Sequence, residues 1–351
     1  MRSHSPCITG IGSVSPFGIV TGPIPARQME PRAISAWPTA GLRRAYLVNP
    51  FRPADVIPGL KARRLDRLSV WSLVAAYLAV EDAGLDLDQI IRSHAAVVFA
   101  TGLGCLELTE AHFRSASDNG WSGVDPILFP ETIGNAPASH VARCLDLRGP
   151  NITASCKGLG GECALLQAAS LVRNGQADFA VVMAGETLTR SAYEWYEASG
   201  ALSPACFDAE PREHRTGLVP SEGVVALVME SADLCGSRGA RVYAAAHSGH
   251  FAARANIGGV IRKVLAGAPP SGVALVVSAT AGGVDLPDAV REFFGDRTAF
   301  AEPSPVASGM GDTGGLLRLV LTLNGAPRGA LAVLASAAPR GACAALLLES
   351  P

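Results

Sequence analysis

Two stretches of the chain, Ala95–Ala100 and Phe179–Met183, are continuously apolar and yet too short to be ordinary helices. A strand with one wet face alternates apolar and polar residues, whereas a strand covered on both faces does not have to. These runs therefore require a sheet sandwiched between helical layers. The intervening segments supply the helices. Leu68–Ala83 places Val70, Trp71, Val74, Tyr77 and Leu78 at helical spacing and stops at Gly84, a good C-terminal signal. Glu162–Asn174, Leu106–Ala116 and Gly315–Leu323 read as further helices; Cys7–Gly12, Val224–Met229, Arg241–Ala246, Val273–Val277 and Ala344–Leu348 read as strands. Strands alternating with helices define an α/β fold. Gly22–Pro58, rich in proline and aperiodic, reads as a long loop. A Ser/Gly turn near Gly239 divides the chain into residues 1–238 and 239–351.

Composition narrows the function classes. Apolar residues make up 48% of the 351 and charged residues 17%, which suits a buried globular core. A net charge of −2 gives no overall attraction to nucleic acid or to an anionic membrane. No stretch approaches the roughly 20 apolar residues of a membrane span, and the N-terminus lacks a signal-peptide layout. The eight cysteines form no CxxC pair, which argues against a zinc site and a disulfide framework. The expectation is a cytoplasmic protein without metal or cofactor.

Several short segments then accumulate into one pattern. Ile8-Thr9-Gly10-Ile11-Gly12-Ser13-Val14-Ser15-Pro16-Phe17-Gly18 resembles the opening strand and loop of β-ketoacyl synthases. So do Arg64-Leu65-Asp66-Arg67, Glu81-Asp82-Ala83-Gly84 and the run from Phe129-Pro130 to Ser139-His140. Leu147-Arg148-Gly149-Pro150-Asn151, Gly175-Gln176-Ala177-Asp178, Ala201-Leu202-Ser203-Pro204 and Pro220-Ser221-Glu222-Gly223 follow in the family's order. Each is weak alone; together they cover residues 5 to 235 almost continuously. The resemblance implies a thiolase-like, five-layered αβαβα fold made of two related halves. Here the C-terminal half is shortened, and the usual first helix is missing between Gly18 and Arg63.

The same resemblance implies a mechanism that this chain is not equipped to run. The family uses a cysteine nucleophile at a helix N-terminus and two histidines from the C-terminal half. Counting eight residues forward from Pro150 and seventeen back from Gly175 reaches one position, and it holds Gly158. No histidine follows His250. Thr280 stands near the first histidine's place and Asp312 in the second's, while Ser336–Gly341 replaces the family's Gly-Phe-Gly loop. Cys156 and Cys163 flank position 158, and both read more readily as structural thiols: Cys156 in the approach and pointing elsewhere, Cys163 more than a turn into the helix.

The resemblance therefore implies a non-condensing partner subunit of the chain-length-factor type, from a polyketide or polyene system. Such a subunit pairs with an active ketosynthase as a heterodimer and receives acyl chains from a phosphopantetheine-bearing acyl carrier protein. By the same resemblance, Thr109, His112, Phe113, Ile133 and Gly134 line an acyl tunnel at the shared interface. His112 reads more readily as an interface histidine than as a catalyst, and arginines such as Arg63, Arg64 and Arg67 are candidates to meet an acidic carrier protein. A different reading keeps the scaffold but makes the chain an acyltransferase or hydrolase using Cys156, Ser155 or Lys157, although no local histidine would activate them. A third makes it a docking scaffold for carrier protein or tailoring enzymes.

Overall fold

The computed structural model describes residues 5–25, 27–37, 43–88, 94–156, 158–207, 217–254, 256–265, 273–280, 293–294, 299–300, 304–323, 328–338 and 341–351. The strands are β1 (Pro6–Ser15), β2 (Gly18–Thr21), the short β3 (Arg32–Ala33) and β4 (Arg44–Ala45), β5 (Ala95–Ala100), β6 (Asn151–Ala154) and β7 (Phe179–Glu186). They continue with β8 (Gly223–Ser231), β9 (Ala244–Ala252), β10 (Val273–Thr280), β11 (Ala299–Phe300), β12 (Leu331–Ala337) and β13 (Cys343–Glu349). The helices used below are α1 (Arg67–Ala83), α2 (Leu106–Asn119), α3 (Ala136–Cys144), α4 (Gly160–Arg173), α5 (Arg190–Ala198), α6 (Ala232–Arg238) and α7 (Ile257–Leu265).

Among the described residues eleven strands are joined in the order β11-β10-β12-β13-β9-β1-β8-β7-β5-β6, with β2 paired to β1. Strands β6, β5 and β7 run parallel to one another, and β8 lies antiparallel to β7. Pairing of Cys7 with Ala245 and Ile8 with Ala244 links the strands of the first half to those of the second. On one outer face α1 and α3 cover β1, β5 and β8. The helices α4 and Gly314–Thr322 form the middle layer, since each touches strands from both ends of the sheet. Helix α7 covers β9, β12 and β13 on the other outer face. Helix, sheet, helix, sheet and helix follow in turn, the five-layered αβαβα arrangement of thiolase-like ketosynthases. Every residue of β5 and β7 is buried, as their unbroken apolar runs require.

Local chemistry explains the element ends. Asp66 caps α1 by accepting the Leu68 N–H at 2.8 Å, and Gly84 ends it in the left-handed region at φ 62°. The α1 backbone lies directly on β1, because a Cβ on Gly12 would meet the Ala75 carbonyl oxygen at 2.2 Å. No larger residue allows that approach. Two expectations shift. The strand expected at Arg241–Ala246 starts at Ala244 and runs to Ala252, its half-exposed residues having hidden it from a search for apolar runs. The Gly22–Pro58 loop holds a two-stranded ribbon, Arg32–Ala33 against Arg44–Ala45, too short to show a period.

Candidate functional site

A cavity of about 710 Å³ opens at the C-terminal ends of the parallel strands, where open α/β sheets place their ligands. Gly102 and Leu103 follow β5; Ser155, Cys156 and Gly158 come from the loop between β6 and α4; Glu186 ends β7. Asp312 arrives from the one-turn helix Gly311–Thr313, and Trp195 and Tyr196 of α5 form an aromatic wall. Apolar residues make most of its surface, so the polar groups in it are few and individually consequential.

Two of those groups are buried carboxylates. Asp312 accepts the backbone N–H of Cys156 at 3.1 Å and that of Gly158 in a shorter contact. Gly160 is what admits it: a Cβ there would lie 2.5 Å from the Asp312 Cβ. Glu186 accepts the Leu103 N–H at 3.1 Å, the Thr101 hydroxyl at 3.2 Å and the Gly102 N–H. Burial, reinforced by the Asp312 charge, pushes the Glu186 carboxyl up to about 8 despite those donors. A Cβ on Gly102 would meet Glu186 Oε1 at 3.1 Å and Asp312 Oδ2 at 3.6 Å, so the two carboxyl groups face one point.

Behind them, Glu162 in the first turn of α4 bonds Ser336, and burial raises its carboxyl. Arg318, whose guanidinium burial pushes down to about 10, donates to Ser308 at 3.0 Å and lies close enough to Glu162 to attract its charge. This buried group ties the Asp312 turn and the following helix to α4. Among the described residues no cluster of three or more metal-ligating side chains occurs.

The residues singled out from the sequence divide sharply. Gly158 faces the cavity with φ 101°, a conformation that side chains other than glycine's rarely adopt, beside Asp312. Cys156 lines the cavity with Ser155, and its backbone N–H bond to Asp312 holds the loop there. Cys163 lies within the first turn of α4, not beyond it, because the helix starts at Gly160. Burial and the neighbouring Cys156 thiol push its pKa up, so it is a poor thiolate. All eight cysteines are free. Lys157 lies outside the described residues. Thr280 ends β10, its backbone paired with Ala337. Ser336 and Ala337 end β12, and Ala338 reaches the cavity.

Thr109, His112, Phe113, Ile133 and Gly134 lie away from this cavity. Helix α2 has no buried residue, and Phe113 is 59% exposed. Phe113, His112, Trp121 and Phe129 form a ring cluster on the surface, with Ile127 and Ile133 also exposed. Thr109 donates to the carbonyls of Cys105 and Thr132, which fastens α2 to the loop before Ile133. Glu186 escaped sequence reasoning, although a glutamate ending an otherwise apolar strand was a visible signal.

The architecture defines a thiolase-like α/β scaffold with a cavity at the ends of its parallel strands. The profile described as the β-ketoacyl synthase N-terminal domain matches residues 22–234, and the chain belongs to that family. The 3-oxoacyl-[acyl-carrier-protein] synthase 2 of Staphylococcus aureus is 32% identical over 201 residues, covering 55% of this chain and 49% of that protein. The Vibrio cholerae protein of the same name is 28% identical over 261 residues, 70% of this chain and 62% of its own length. The chain thus spans about half the length of the first curated relatives it matches. Among solved structures, the ishigamide ketosynthase/chain length factor superposes with TM-score 0.81 at 22% identity, covering all of both chains. A β-ketoacyl synthase from Burkholderia phymatum STM815 gives 0.80 at 20% identity, again over all of both. A type II PKS acyl-carrier protein in complex with its ketosynthase bound to the hexaketide gives 0.76 at 16% identity, also over all of both. At these identities the structures establish the shared fold. Among the described residues no helix is long and apolar enough to cross a membrane.

Proposed function

We propose that this chain is a non-condensing, chain-length-factor-type subunit that pairs with an active ketosynthase and shapes the acyl tunnel between them. The observation that carries the reading is the state of position 158. It holds a glycine at φ 101°, and the Asp312 carboxylate takes up the N–H groups of Cys156 and Gly158. A nucleophile is missing there, and backbone donors that would stabilise an acyl oxyanion are already engaged. The exposed apolar strip on α2 and the following loop supports a large partner surface, since obligate interfaces bury more than about 2,000 Å². The acyl carrier protein, with its phosphopantetheine-linked chain, is the proposed donor. The division at residue 239 into two ketosynthase-like halves, the second shortened, belongs to the same proposal.

The experiment is co-expression with an intact ketosynthase from the same pathway. A one-to-one complex supports the reading; a soluble, monodisperse monomer that ignores the ketosynthase contradicts it. The cavity position of Cys156 favours a second reading, acyl transfer or hydrolysis through that thiol with Ser155 beside it. A stoichiometric thioester that disappears in Cys156→Ala would select it.

A further inference from the structure

The cavity holds two carboxyl groups in unlike settings, and neither the pairing role nor the Cys156 reading gives them a proton to move. Asp312 is acceptor-only, fixed by two backbone N–H groups. Glu186 sits across from it at the end of β7, 4% exposed. Both line an apolar cavity of about 710 Å³, large enough for a medium-length acyl chain. Gly102 and Gly311 keep the space around them open, since a Cβ on Gly311 would approach Glu186 no closer than 3.7 Å.

We propose that the Glu186–Asp312 pair transfers a proton between the α and γ carbons of a β,γ-unsaturated acyl thioester, moving its double bond into conjugation with the carbonyl. Asp312 removes the α proton, and the C–H electron pair passes into a dienolate whose negative charge rests on the thioester oxygen. The Glu186 O–H donates a hydrogen bond to that oxygen and keeps its proton throughout. Protonated Asp312 then returns the proton to the γ carbon, and the double bond settles between the α and β carbons. No atom, electron or co-reactant is added.

The division of labour follows from environment. A carboxylate base beside a carboxylic acid kept neutral by an apolar site is an arrangement suited to enolisation. Glu186 meets the second requirement, because burial first and the Asp312 charge next push it up to about 8. Among the described residues the titratable groups that line the cavity with it are Asp312 from the Gly311–Thr313 turn, Cys156 from the loop before α4, and Tyr196 from α5, whose phenol burial pushes up to about 12 and which therefore stays neutral. The chemistry needs no nucleophile at position 158, so it concerns this chain without a partner subunit. Its failure and the failure of heterodimer formation are separate results.

The test incubates the isolated full-length protein with a β,γ-unsaturated octenoyl N-acetylcysteamine thioester and follows the conjugated product by ultraviolet absorbance. We expect conversion above buffer, lowered by about 100-fold or more in Asp312→Asn. Glu186→Gln, whose amide still donates, should retain more activity than Glu186→Ala. The wild-type rate should fall as pH rises through about 8, when Glu186 loses its proton, and Glu186→Gln should lack that fall. Conversion no faster than buffer overturns the proposal, as does an equal rate in wild type and a folded Asp312→Asn. Should Asp312→Asn not fold, an alkaline fall that persists in Glu186→Gln overturns it instead.

Discussion

The carboxylate of Asp312 accepts the backbone N–H of Cys156 at 3.1 Å, joining two points 156 residues apart in the chain. One acidic side chain thereby sets both the shape and the charge of the cavity. It fills the donors beside position 158 and holds the Cys156 loop at the cavity. It also raises the proton affinity of Glu186 across the space.

Gly158→Cys should not restore an acyl-accepting site. A side chain at φ 101° is strained by about 1–3 kcal/mol, and Asp312 still holds the neighbouring N–H groups. The variant should melt several degrees lower and gain no acyl mass from an acyl carrier protein. A stable thioester on the new cysteine would show that Asp312 yields the donors easily.

Gly160→Ala tests how tightly that carboxylate is held. The added methyl meets Asp312 Cβ at 2.5 Å and Oδ2 at 2.7 Å, well inside van der Waals contact. Overpacking of this kind costs about 1–3 kcal/mol, which denaturant unfolding reads as a lower midpoint with an unchanged slope. An unchanged midpoint would mean that the turn Gly311–Thr313 moves freely.

Glu186 makes stability depend on pH with a definite sign. Its folded-state value, about 8, lies above the ordinary glutamate range, so folding takes up a proton between the two. Its favourable contribution is complete below the unfolded value and is lost as pH rises through about 8. Glu186→Gln removes this dependence. Its melting temperature relative to wild type should be higher at about pH 9 than at about pH 6. Parallel curves would contradict the buried, protonated carboxyl.

Much of the fold was legible in the sequence because its strands advertise burial on both faces. The bounds of β5 match the apolar run, and β7 extends its run by three residues to Glu186. The far end of β9 was not, because His247, Ser248 and His250 interrupt the apolar pattern after Ala246. Counting between motifs reaches Gly158, the resemblance to the family's second histidine motif reaches Asp312, and both line the cavity. That Cys156 lines it too depends on a hydrogen bond to a residue 156 positions away, which no local pattern encodes. Glu186 stands out locally as a glutamate ending an apolar strand, but its significance lies in its proximity to Asp312, 126 positions further on in the sequence.

The surface strip on α2 carries the chain-length prediction. Phe113 is 59% exposed, and Gly134 has only Gly104 within 4 Å of an added Cβ. With these groups facing the partner, Phe113→Ala should lengthen the product, each further buried methylene favouring the longer chain by about 0.8 kcal/mol. Gly134→Trp should shorten it, with turnover largely preserved. Unchanged product lengths from folded, paired variants would make the chain a scaffold instead of a ruler.

The central claim is that condensation resides on a partner while this chain shapes the tunnel, and one reconstitution addresses it directly. The chain and an intact ketosynthase are mixed with acyl and malonyl carrier protein, and the mass of each subunit is followed. The account predicts a one-to-one complex in which the acyl adduct forms on the ketosynthase and none forms on this chain. A thioester on this chain that vanishes in Cys156→Ala, or extension of the acyl chain by this protein alone, would contradict it.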